Sequence, residues 1–312
     1  MITFNYIPHQ RQHYSSLFFY FLNKIKDNNK KQIILNVYTS DVQFFNEKCK
    51  TLNNISYNII SSNPDYWSKL QLIKINNLTE YSIKVDEDIF MNSKVLDFII
   101  ENTNIVDQKD TLILAPLMSC NIPTTDYFIN SYFEKEDTIK INKSFLNVDL
   151  NYVSKWWGYN YSHLNEFTIQ NKTGYWNYEK FLEASNNINH HFKGIHPVRV
   201  GREPHEIINN LLLENLDKFI NCSNFKIFYL KNRYFTNSFF LIRTDRWLEL
   251  LNDKSLYVDP FDEVPLNKYA VKNNMNFAFI DGAFAIHTAF NTNSDFNIEL
   301  KFQNEIEKKI IN

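Results

Sequence analysis

Apolar residues in the first third of the chain come in short blocks, separated by polar segments that carry helix-start chemistry. Ile2-Thr3-Phe4-Asn5-Tyr6 predicts a strand, and after Pro8 the residues Leu17, Phe18, Phe21, Leu22 and Ile25 share one face of a helix. Further strands are predicted over 33–38, 55–60, 81–85 and 111–115. Helices over 42–52, 63–75 and 93–102 fill the gaps. Ser40 or Asp41 opens the first of these, Ser62 or Asn63 with Pro64 in the first turn opens the second, and Asn92 caps the third. Strand alternating with helix at this spacing predicts an α/β fold with a mainly parallel central sheet flanked by helices. Sheets of that kind bind ligands beyond the carboxyl ends of their strands.

Between about 121 and 235 the rhythm loosens, around Ile122-Pro123-Thr124-Thr125, Trp156-Trp157-Gly158-Tyr159-Asn160-Tyr161 and Gly194-Ile195-His196-Pro197. Only a helix over 203–219 and a strand over 226–230 are predicted there. Regular elements then return: strand 239–243, helices 244–251 and 263–273, and a final strand region 277–287. The chain is expected to be one catalytic-type domain over 1–312. Residues 1–120 form its ligand-binding half, 121–235 an irregular insertion, 236–290 the return to the core and 291–312 a C-terminal tail.

Bulk composition narrows the function classes. With 33 basic and 35 acidic side chains there is no electrostatic footprint for nucleic acid. Cys49, Cys120 and Cys222 are far apart and form no C-x-x-C, so neither a zinc knuckle nor a disulfide framework is expected, and the compartment is expected to be reducing. The aromatic run Leu17-Phe18-Phe19-Tyr20-Phe21-Leu22 falls short of the roughly 20 residues that span a bilayer. No signal peptide is expected either. With five glycines and neither G-x-G-x-x-G nor a Walker loop, any phosphate held here needs another counter-charge, such as a metal.

The strongest chemical signal is Val85-Asp86-Glu87-Asp88-Ile89-Phe90-Met91, where an apolar run gives way to three carboxylates at a strand's carboxyl end. Its plain reading is a solvated turn. Its functional reading is a site for a hard divalent cation, because carboxylate oxygens suit Mg²⁺ or Mn²⁺, which keep positions open for substrate phosphates. The last strand ends in His287, either an ordinary buried histidine or a further ligand that favours Mn²⁺ slightly. Asp262 and Glu263 open a helix, as a cap with dipole-complementing charge or as acids that handle an acceptor hydroxyl. The Trp156–Tyr161 aromatics can pack a core or offer flat faces to a sugar. His190-His191 has no nearby acids, and His205-Glu206 lacks the second histidine of a zinc-protease helix, Asn209 standing in its place.

Taken in order, the Val-Asp-Glu-Asp-Ile-Phe strand end, the strand followed by Arg243 and Trp247, Phe261-Asp262-Glu263-Val264-Pro265-Leu266-Asn267, and a last strand ending in His287 resemble the nucleotide-sugar-dependent glycosyltransferases of GT-A fold. The resemblance implies a GT-A-like (Rossmann-like) sheet whose irregular insertion faces the acceptor. It also implies a D-x-D motif that holds Mn²⁺ or Mg²⁺ against the diphosphate of a UDP- or GDP-sugar. By it, Asp88 is a direct metal ligand, Asp86 contacts the metal or the donor ribose, Glu87 lies beside them, and His287 completes the protein ligands. Asp262 and Glu263 are the acceptor-side acids: one takes the acceptor proton if the enzyme inverts, and neither need do so if it retains. No basic cluster follows His287, so Arg11, Lys69, Arg243 and Arg246 are the remaining candidates for the diphosphate. The expected activity is sugar transfer to a hydroxyl of a glycan, lipid-linked or protein acceptor, in the cytoplasm or at a membrane surface. A sugar nucleotidyltransferase and a non-catalytic carbohydrate-binding protein are the rivals.

Overall fold

The computed structural model describes residues 1–8, 14–63, 66–119, 124–144, 202–231, 235, 237–256, 263–288 and 296–311. Their strands are β1 (Ile2–Ile7), β2 (Ile33–Thr39), β3 (Ser56–Ser61), β4 (Tyr81–Asp86), β5 (Ile89–Met91), β6 (Thr111–Met118), β7 (Lys226–Lys231), β8 (Phe239–Arg243) and β9 (Asn276–His287). They form one sheet in the order β3-β2-β1-β4-β8-β6-β9-β5, with β7 pairing to β9. Among the described residues, β1, β2, β3, β4, β6 and β9 run one way, and β5, β7 and β8 run against them. The fold is therefore mixed α/β with a mostly parallel sheet flanked by helices, and no helix among the described residues is long and apolar enough to cross a membrane.

β1 and β6 are buried at every position, as expected of strands covered on both faces. On one face of β1, Tyr6 stacks on Phe18 with ring centroids 5.0 Å apart and meets Phe19 and Phe45 edge-on or tilted, so helices Ser15–Asn23 and Val42–Cys49 seal that side with aromatic rings. The opposite face is polar. Asn58, Asn36, Asn5 and Lys84 lie in one row across β3, β2, β1 and β4. Asn58 Nδ2 donates to Asn36 Oδ1 at 2.9 Å, Tyr38 OH donates to Asn5 Oδ1 at 2.9 Å, and Asn36 Nδ2 donates to the Asn76 carbonyl at 3.1 Å. That last bond ties the row to the end of helix Tyr66–Asn76, which covers this face. Buried amides are costly unless paired, and those of Asn5 and Asn36 are paired.

Several elements were not predicted. Helices Thr124–Tyr132 and Lys135–Ser144 give regular structure to part of the segment expected to be irregular. The helix expected over 203–219 is two, Arg202–Glu214 and Leu216–Ile220. It breaks at Asn215, whose side chain donates to the Leu211 carbonyl at 2.9 Å, competing with the helical ladder. The expected tail contains helix Phe296–Ile310, whose buried face alternates Phe302 and Ile306 with Glu299 and Gln303. Two buried polar residues interrupt the apolar stripe that would have announced it. Tyr14 OH donates to Glu299 Oε2 at 2.8 Å, and Tyr20 OH donates to the Ile310 carbonyl at 2.9 Å, docking this helix on the N-terminal one.

β9 changes neighbours partway along its length. Asn276 to Asp281 pair with β7, whereas Ala285 to His287 pair with β5. Against β6, Pro116 is opposite Ile280 but Leu117 is opposite Phe284, so Asp281, Gly282 and Ala283 bulge out of the ladder. Gly282 holds φ at +78°, and a Cβ there would stand 3.2 Å from the Ser223 carbonyl oxygen. The bulge requires glycine on both counts. Gly282→Ala is therefore expected to lower unfolding free energy by about 1–2 kcal/mol through backbone strain alone, read as a lower urea midpoint at unchanged slope.

Candidate functional site

The chain lays down β1, β2 and β3 in one direction and then returns to place β4 on the other side of β1. Strand order reverses between β1 and β4, and a crevice forms beyond the carboxyl ends of strands at such a point. Described residues at that edge include Pro8 after β1, Asp86 ending β4 with Glu87-Asp88 after it, Asn237 and Ser238 leading into β8, Ser119 after β6, and His287 and Thr288 closing β9.

β4 ends at Asp86, and Glu87-Asp88 form a turn into the three-residue β5. Strand alternation therefore does not carry through to Asp88, and the two aspartates find different partners. Asp88 is held by its backbone: its carbonyl accepts from Thr288 N–H at 2.9 Å and from Thr288 Oγ1 at 3.1 Å. Because Ile89 is opposite His287 in the β5–β9 pairing, the Asp88 carboxylate lies over the imidazole, with Oδ2 3.3 Å from Nε2. The Asp88 side chain is 17% exposed and His287 2%. His287 N–H donates to Ser119 Oγ at 3.1 Å, fixing the end of β9 to the end of β6.

Asp86 faces a lysine. Lys84, two residues earlier and so on the same strand face, is 1% exposed; its Nζ lies 2.9 Å from Asp86 Oδ1 and 3.1 Å from Oδ2. The same ammonium donates to the Asn237 carbonyl at 2.6 Å. Alternation was the signal that finds Lys84, since a lysine and an aspartate one pleat apart inside an apolar strand must point the same way. Glu87 is buried, and its carbonyl accepts from Tyr6 OH at 3.3 Å. Burial first, and then the charges of Glu87, Asp88 and Asp86, push the Tyr6 phenol well above its ordinary value.

Lys69, one of the candidates for the diphosphate, is an interior residue. It is buried in helix Tyr66–Asn76, and its ammonium donates to the Pro8 carbonyl at the mouth of β1. Arg243 and Arg246 are excluded as diphosphate ligands. Arg243 is opposite Tyr81 at the amino edge, where it pairs with Asp107 and Asp245, both at 2.9 Å, and Arg246 donates to the Val106 and Gln108 carbonyls. Five strand steps, roughly 17 Å, separate that edge from Asp86. Glu263 begins helix Glu263–Lys272, which is anchored by Asn267 bonding both Phe235 N–H and its carbonyl; the Glu263 side chain lies outside the described residues. Asp262, Arg11, the Trp156–Tyr161 cluster and His190-His191 also lie outside them.

Two ligands about 2.1–2.2 Å from one cation and near a right angle to each other stand roughly 3.0–3.3 Å apart, so Asp88 Oδ2 and His287 Nε2 suit a shared ion. Asp86 fits less well. A divalent cation on Asp86 would lie no more than about 5 Å from the Lys84 ammonium, a repulsion of roughly 6–7 kcal/mol at an effective dielectric of about 20. Among the described residues no group of three or more His, Cys, Asp and Glu is placed to hold a metal. His287 Nδ1 is buried without a hydrogen-bond partner there, so the ring lacks the outer-shell acceptor that usually orients a metal-ligating imidazole. Two protein ligands with open positions match a cation shared with substrate phosphates.

No protein-family model matches the sequence, and no curated protein is significantly similar to it.

The buried Tyr6 sets an alkaline signature. Its folded pKa lies above the 10.0 of an unfolded tyrosine, so its contribution is fully present below about pH 10 and is lost as pH rises beyond it. Tyr6→Phe is expected to cost about 0.5–1.5 kcal/mol at pH 7, with the gap to wild type narrowing by roughly 1 kcal/mol at pH 11 in urea titrations.

Proposed function

We propose that the chain is a cation-dependent glycosyltransferase of GT-A-like fold that moves a sugar from a nucleotide donor to a hydroxyl acceptor. One observation carries this reading: a carboxylate and an imidazole from Asp88 and His287, far apart in sequence, meet 3.3 Å apart at the carboxyl edge, beside the strand-order reversal. The burial of Lys69 supports it further, because its ammonium at the Pro8 carbonyl puts positive charge near the same edge, where a diphosphate has to be neutralised without a glycine cradle.

Bound at Asp88 and His287, Mn²⁺ or Mg²⁺ supplies Lewis-acid compensation for the charge that builds on the departing nucleoside diphosphate. The chain's own part is orientation. The Thr288 bonds hold the Asp88 backbone, the Ser119 bond holds that of His287, and the Lys84 contact directs Asp86 toward the crevice as a hydrogen-bond acceptor suited to a ribose hydroxyl. The acceptor proton falls to Asp262 or Glu263 if the sugar's configuration inverts.

A thermal-shift screen of UDP- and GDP-sugars is expected to raise the melting temperature with Mn²⁺ and not with EDTA. Asp88→Ala is expected to lower Mn²⁺-dependent donor turnover at least ~100-fold while moving the melting temperature by no more than about 2 °C. Wild-type turnover in that variant overturns the reading. Donor binding without any hydrolysis or transfer assigns the chain to non-catalytic carbohydrate binding instead.

A further inference from the structure

We infer that Tyr6 is a positioning residue for the cation site: by holding the Glu87 carbonyl, its hydroxyl fixes the direction in which the next residue, Asp88, presents its carboxylate. The inference rests on the cation-dependent reading above and adds to it a residue of β1 that acts on the site through the backbone of the acidic turn.

Tyr6 is fully buried, and three rings fix its own: Phe18 stacked at 5.0 Å between centroids, Phe19 edge-on at 5.6 Å and Phe45 tilted at 5.9 Å. Packing of this density leaves the hydroxyl little room to move. Phenylalanine would fill the same space, so the hydroxyl is a polar atom placed in an aromatic cluster, at a desolvation cost that its bond to the Glu87 carbonyl at 3.3 Å offsets. That carbonyl and the Asp88 N–H belong to one planar peptide unit. The Asp88 carbonyl, which accepts from Thr288 N–H at 2.9 Å, belongs to the next. The φ and ψ of Asp88 are the rotations between these two planes, so a bond on each plane restricts both. The side chain leaves from the atom between them and meets His287, with Oδ2 3.3 Å from Nε2. Because β4 ends at Asp86, its ladder does not govern this direction. Tyr6 from β1 and Thr288 from the end of β9 govern it instead.

The test is Mn²⁺ binding to the full chain without nucleotide, followed by the electron paramagnetic resonance signal of free Mn²⁺. Tyr6→Phe keeps the ring and removes the hydroxyl, and is expected to weaken Mn²⁺ binding at least fivefold. Tyr6→Met serves in its place if the Phe variant does not fold. Ile306→Val trims a buried side chain of helix Phe296–Ile310 and is expected to bind within twofold of wild type, which separates the aim of Asp88 from a general loss of stability. Asp88→Asn is expected to lose at least tenfold, and adding Tyr6→Phe to it less than twofold more, because the hydroxyl acts through the Asp88 carboxylate. If wild type binds Mn²⁺ but Tyr6→Phe loses less than fivefold, or Ile306→Val loses as much as Tyr6→Phe, or the Tyr6→Phe loss exceeds twofold in the Asp88→Asn background, the inference is overturned and the cation-dependent reading survives. If wild type does not bind Mn²⁺, both fall.

Discussion

The bond from Thr288 N–H to the Asp88 carbonyl closes a loop of almost 200 residues, and the site's geometry follows from it. β5 has only three residues, too few to be stable as an isolated strand, and its ladder is supplied by the end of β9. That end reaches β5 because β9 bulges at Asp281–Ala283 and leaves β7 behind. Gly282 therefore acts at a distance on the pair formed by Asp88 and His287. The bulge belongs to the class that re-aims side chains near functional sites.

Charge at this edge is arranged by burial as much as by proximity. Glu87 turns its backbone to Tyr6, Asp86 takes the Lys84 ammonium, and Lys69 closes on the Pro8 carbonyl. A buried ammonium left without such partners would be expected to lose its proton instead. Partnered, both lysines keep their protons, Lys84 balanced by Asp86 and Lys69 held on a carbonyl. The aromatic seal makes one face of β1 apolar, and the opposite, polar face is the one that carries Lys84 and Asp86.

Much of this architecture was legible in the sequence. β1 to β4 and β6 fall where the apolar blocks lie, Asp41 and Asn92 accept from the Phe44 and Lys94 N–H groups as caps, and the acidic turn lies at a carboxyl end. What could not be read was long-range. No local pattern says that β8 runs antiparallel between β4 and β6, or that three residues after Asp88 pair with the end of β9. The acidic turn reads as one cation site, but β4 ends at Asp86, and period-2 alternation along the strand pairs Asp86 with Lys84. The burial of Lys69 was not legible, because a helix's apolar stripe does not reveal that an interior carbonyl awaits a donor. Helix Phe296–Ile310 was hidden by Glu299 and Gln303 on its inward face.

The row of Asn58, Asn36, Asn5 and Lys84 bears on how the strands find one another. The Asn58–Asn36 and Tyr38–Asn5 bonds form only when β3, β2 and β1 are aligned residue for residue, and Lys84 meets Asp86 and the Asn237 carbonyl beside them. A slip of one position in β1 would turn Asn5 into the rings around Tyr6, and a slip in a neighbouring strand would send its polar side chain to the opposite sheet face. Hydrophobic matching alone tolerates small misalignments between strands as apolar as these. The polar row does not, and it acts as a vernier that selects a single alignment and thereby settles the height at which Asp86 emerges from the sheet.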